Sequence, residues 1–143
     1  MKHVVAMWGT NCRSEEELAA FARLGYTEDG DAIPSEFMSS TGLSWIDEDF
    51  MEVHLLPDEE SREAFVQYLK QDYASDPDRF APQVPDSLGE SMAPYPSVIV
   101  LHGNDSRYGS VNEVLFSLAE SGSEVGQQPV PLIAKIVYET EER

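Results

Sequence analysis

"VIVLHG", residues 98–103, is an almost wholly apolar run closed by a glycine, and it reads as a strand buried inside a sheet. Three other stretches match it. HVVAMW at 3–8 combines β-branched and aromatic residues before Gly9, FMEVHLL at 50–56 ends at Pro57, and PLIAKIVYE covers 131–139. Between the first two strands, Ser14 and Glu17 have capping-box spacing, which predicts a helix over about 15–24 with Leu18, Phe21 and Ala22 on its buried stripe and Gly25 as its stop. Pro34 can open a short helix through SEFMSS, with Gly42 ending it. Beyond Pro57-Asp58 a helix is expected near 59–71, where Phe65 and Leu69 share a face with Tyr68 beside them. Ser110 and Glu113 form a second capping box ahead of Val111, Val114, Leu115 and Leu118, predicting a further helix. Five of the nine prolines fall within 72–96, a stretch with no sustained apolar period that is expected to be a surface excursion or a loop. The order β-α-α-β-α-β-α-β predicts an α+β fold, with a four-stranded mixed sheet and three to four packed helices. With 143 residues and 41% apolar content the chain is expected to be a single domain over 1–143.

Charge is the unusual feature. Asp plus Glu number 27 against 9 Lys plus Arg, a formal charge of −18. Such a chain repels nucleic-acid backbones and anionic lipid, and it attracts cationic partners over long range, so neither nucleic acid nor membrane is an expected partner. The N-terminal MKHVVAMWG suits neither a signal peptide nor a membrane span, which leads to an expected cytoplasmic location. Part of the acidity is local helix chemistry, because Glu15–Glu17 and Asp58–Glu60 fall where helices should start and carboxylates complement the dipole. The group Asp47, Glu48, Asp49 and Glu52, around the entry of the second predicted strand, has no such explanation.

Catalytic motifs do not assemble. Gly89-Glu90-Ser91-Met92-Ala93 imitates a nucleophile elbow and Leu101-His102-Gly103 an oxyanion loop. Ser91, however, lies among prolines and the two motifs occur in reversed order. His3, His54 and His102 each fall on a predicted strand but lack the spacing of a ligand set. Asp29-Gly30-Asp31 lacks the remaining positions of a calcium loop, and Cys12 is the only cysteine, which excludes an internal disulfide. The expectation is a protein that is not an enzyme and uses no cofactor or metal.

Trp8-Gly9, SEEEL at 14–18 and YTEDGDAIPSEFMSSTGLSWIDEDFMEV at 26–53 together resemble the immunity protein 22 family of bacterial polymorphic-toxin systems. The resemblance covers roughly the first third of the chain. It implies an inhibitor that binds a cognate toxin domain, a nuclease being one class it would suit, by occluding a cationic active-site surface. On that reading Asp47, Glu48, Asp49 and Glu52 form a binding face, joined by Glu28, Asp29 and Asp31, with Trp45 and Phe50 as aromatic anchors. Two alternatives remain: an acidic nucleic-acid mimic or regulatory binding protein, and a small metal-dependent hydrolase. Oligomeric state stays open.

Overall fold

The structure is a computed structural model, and it describes residues 2–23, 25–33, 35–41, 47–73, 80–106, 111–117 and 132–140. Strand β1 (Lys2–Thr10) leads into helix α1 (Glu15–Ala22). A ribbon of two short strands follows, β2 (Gly25–Tyr26) and β3 (Ala32–Ile33), and then α2 (Glu36–Thr41). Next come β4 (Met51–Leu55), α3 (Glu59–Tyr68), α4 (Leu88–Met92), β5 (Ser97–Asn104) and β6 (Leu132–Glu139). The four long strands form one sheet in the order β4-β5-β1-β6. The α+β class therefore holds, but the sheet is antiparallel at every pairing rather than mixed. An apolar strand such as Val98–Leu101 reports burial on both faces and carries no information about strand direction.

Alternation along β1 divides the core in two. Val4, Ala6 and Trp8 point to one face, where they meet Leu18 and Ala22 of α1, Phe37 and Met38 of α2, and Leu115. Val5 and Met7 point to the other, against Phe65 and Leu69 beneath α3, Phe80, and Leu88 and Met92 of α4. Gly9 is required by its neighbour, since a Cβ there would lie 2.4 Å from the Tyr95 ring. At the end of β1 the buried Thr10 and Ser97 hydroxyls bond each other, and Ser97 also donates to the Cys12 carbonyl at 2.9 Å, which seats Cys12 inside the loop.

Helix starts follow the sequence with two departures. Ser14 caps α1 by accepting from the Glu17 amide at 3.1 Å, but the Glu17 carboxylate takes the Arg13 amide at 3.3 Å, so the reciprocal half of the box is not made. The helix expected after Ser110 is a 3-10 turn over Glu113–Ser117, and Ser110 and Leu118 lie outside the described residues. Asn112 explains the change. Its φ of 44° is left-handed, which cannot continue an α-helix through its first turn. The proline-rich excursion is partly helical: a 3-10 turn at Ala81–Gln83 precedes α4, and the buried Phe80, Val84, Leu88 and Met92 tie it to the sheet. Helix α3 continues as one π turn, Leu69–Tyr73, which brings Tyr73 against Tyr68 and Phe80.

Candidate functional site

The acidic entry to β4 is a tight 3-10 turn, Glu48–Phe50, clamped from a distant part of the chain. The Asn112 side chain accepts from the Asp47 amide at 2.6 Å and donates to the carbonyls of Asp47 at 3.2 Å and His102 at 3.0 Å. Gly103 makes this clamp possible, because a Cβ there would meet the Asn112 carbonyl oxygen at 2.7 Å. Within the turn the Asp47 carboxylate accepts from the Asp49 amide at 3.1 Å, and the Phe50 amide donates to the Asp47 carbonyl at 3.2 Å. The result is a fixed platform on which Asp49 is exposed, Asp47 is half-buried, and the Phe50 ring is 40% exposed beside His102.

Glu52 differs from the other acids. It faces the α3 side of β4, where the Tyr68 hydroxyl lies 2.8 and 2.9 Å from its two carboxylate oxygens and His54 Nε2 lies 2.9 Å away. Burial would raise the Glu52 carboxyl, but the hydrogen bonds from His54 and Tyr68, with the His54 charge, outweigh it and hold the group below its ordinary value. The neighbouring Tyr73 phenol is pushed up, first by burial and then by the Glu52 charge. Glu52 therefore helps to hold β4 against α3, and its side chain remains 36% exposed.

The three histidines divide into a pair and a single residue. His3 Nδ1 and His102 Nε2 lie 3.0 Å apart on adjacent strands, His3 Nε2 meets the Thr140 hydroxyl at 3.0 Å, and the His3 ring stacks on Tyr138. Desolvation first, and the His3 charge second, lower the His102 imidazole to about 4, so His102 is neutral near pH 7. His54 lies apart, on Glu52 and against Phe65. Among the described residues no three histidine, cysteine or acidic side chains come together as a metal site. Ser91 lies within α4, not on a strand-to-helix elbow.

The other expected site residues lie on a different element or outside the described residues. Glu28, Asp29 and Asp31 are exposed on the turn of the β2–β3 ribbon, which is closed by its own bonds from the Thr27 amide to the Asp31 carbonyl and from the Gly30 amide to the Thr27 carbonyl. No hydrogen bond among the described residues links that turn to Asp47–Glu52. Trp45 lies outside the described residues, as does the Glu48 side chain. Sequence reading missed Asn112 as the clamp and Tyr68 as the partner of Glu52. Nothing local marks the first, while the second was visible only as a tyrosine beside an apolar helix face.

Two of the motif segments meet in the core: Trp8 packs edge-on against Phe37 of the SEFM segment, with ring centroids 5.0 Å apart. No helix among the described residues is long and apolar enough to cross a membrane. No curated protein and no solved structure matches the chain. The pattern of one family, Immunity protein 22, matches residues 5–139 of the 143, far beyond the first third that carries the visible motifs, and the chain belongs to that family.

Proposed function

We propose that this chain is an acidic cytoplasmic immunity protein that binds a cognate toxin domain and neutralises it by covering a cationic active-site surface, as a nuclease would present. Membership of an immunity-protein family supports the toxin-neutralising role. The observation that carries the acidic-face reading is the Asp47–Phe50 platform, where carboxylates and a 40%-exposed phenylalanine are held in place by Asn112 before any partner arrives. Preformed presentation avoids part of the ordering cost of association, and an aromatic residue within charged surroundings is a common form of interface anchor. The formal charge of −18 adds long-range attraction to a basic partner. Inhibition on this reading is occlusion and involves no catalytic step, cofactor or metal.

The test is protection. Cells that produce a cognate toxin domain, sought first among the neighbouring genes, are expected to survive when this chain is co-expressed and to die without it. Stoichiometric co-purification of the two proteins is the accompanying result. Survival without complex formation, or no protection by a folded protein, would contradict the proposal.

A further inference from the structure

Helices α3 and α4 pack on the same face of the sheet through Phe65, Leu69, Leu88 and Met92, and between them runs an open groove of about 680 Å³. Its apolar lining is small, the exposed Ala64 and half-buried Val66 from α3, the half-buried Gly89 from α4 and the exposed Ala93 just after it. Its walls carry five carboxylates, Glu59, Glu60, Glu63, Asp86 and Glu90, against one cation, Arg62. Among the described residues none of the five is ion-paired or takes a side-chain hydrogen bond. The helix dipole accounts for Glu59 and Glu60 in the first turn of α3. The dipole likewise accounts for Glu90 in the first turn of α4, but not for Glu63, which stands four residues after Glu59 and adds like-charge repulsion on the α3 wall.

Gly89 is an independent clue. A Cβ at this position would meet nothing within 4 Å, and its backbone is not left-handed, so neither crowding nor conformation requires glycine. Glycine inside a helix nonetheless weakens it. A bare backbone lining a groove allows a partner to approach closely. The α3 wall from Glu59 to Gln67 is about 12 Å long at the helical rise, enough for two turns of a docked helix.

We propose that this groove receives an amphipathic cationic helix of the partner, with small apolar side chains against Gly89, Ala64 and Ala93 and lysine or arginine flanks facing the carboxylate walls. The assignment of that helix to a toxin domain rests on the function proposed above. The groove itself does not, and it is a second contact region in addition to Asp47–Phe50. Helix-in-groove docking of this kind takes specificity from the apolar stripe and rate from the charges.

The probe is a fluorescent amphipathic peptide of about 15 residues, long enough for marginal helicity, with an alanine and leucine stripe flanked by lysine and arginine. A scrambled peptide of the same composition is the control. Anisotropy at low salt is expected to show tighter binding of the amphipathic peptide. Gly89→Trp, whose Cβ would meet nothing within 4 Å and whose ring would occupy the groove, should weaken it about ten-fold or more, with Ala93→Trp as the second blocking variant. The pair Asp47→Asn/Asp49→Asn, outside the groove, should leave groove binding nearly unchanged. Equal binding of the scrambled peptide, or full binding by both folded tryptophan variants, would overturn the groove and leave only a diffuse acidic surface. Protection against the toxin domain is read separately. Protection retained by a tryptophan variant that has lost the peptide would overturn the assignment of the groove to the toxin, whereas failure of protection by the unaltered protein is failure of the proposed function.

Discussion

Glu52 and His102 have opposite relations to the proton. Glu52 is held below its ordinary value, so it contributes stability above the unfolded carboxylate range, near pH 4.5, and loses it as pH falls through the lower folded value. His102, lowered from 6.5 to about 4, takes up a proton in the unfolded chain before it does so in the folded one, so stability falls as pH drops from about 6.5 towards 4. Replacing His102 with Gln is expected to flatten the pH dependence of the urea midpoint across that window. An unchanged slope would mean that the His3–His102 contact does not govern it. Replacing Glu52 with Gln keeps an acceptor for Tyr68 but removes the charge that His54 faces, and about 1 kcal/mol of unfolding free energy should be lost at pH 7, less than a fully buried charged bond would lose. Gly9→Ala should cost about 1–3 kcal/mol by forcing a Cβ into the Tyr95 ring. In a double-mutant cycle Tyr95→Ala should recover much of that cost, whereas additive losses would point to a backbone effect instead.

Elements whose evidence is local were legible in the sequence, and those set by remote contacts were not. The strands were visible because HVVAMW, VIVLHG and PLIAKIVYE are apolar enough to be buried, and α1 because Ser14 precedes a buried stripe. Strand direction was not visible, since burial on two faces gives the same composition in either sense. The 3-10 turn at Glu113–Ser117 was misread as a helix because the left-handed Asn112 is stabilised by Asp47, 65 residues away. Helix α4 was hidden by the prolines around it, although Leu88 and Met92 stand four apart and both are buried. At the candidate site the acids themselves were evident, whereas the clamp that positions Asp47 and the tyrosine that engages Glu52 come from other elements. Ser14→Ala is expected to destabilise the protein by about 1 kcal/mol, since it removes the cap that the Glu17 amide uses. Thermal unfolding would show it, and a Thr at the same position should restore most of the loss.

For the molecule as a whole, 27 acidic residues against 9 basic ones repel one another in the folded state, which favours expansion. Salt should relieve this, because the screening length shrinks from about 30 Å at 0.01 M to about 3 Å at 1 M, so the melting temperature is expected to rise with sodium chloride. A fall would mean that attractive pairs outweigh the excess. The same field is what the proposed function uses, with opposite sensitivity to salt: screening that helps the folded chain should slow its encounter with a basic toxin. Surface-plasmon association with a cognate toxin domain, at low and high salt, is the test. The proteins to compare are the unaltered chain and the variant with Asp47→Asn, Glu48→Gln and Asp49→Asn, which leaves the Glu52 bonds intact. The expected result is an association rate that falls steeply with salt for the unaltered protein, and a variant that is folded, slower to associate at low salt and less dependent on salt. Equal rates for the two proteins at both salts would contradict the claim that the acidic entry to β4 engages the toxin.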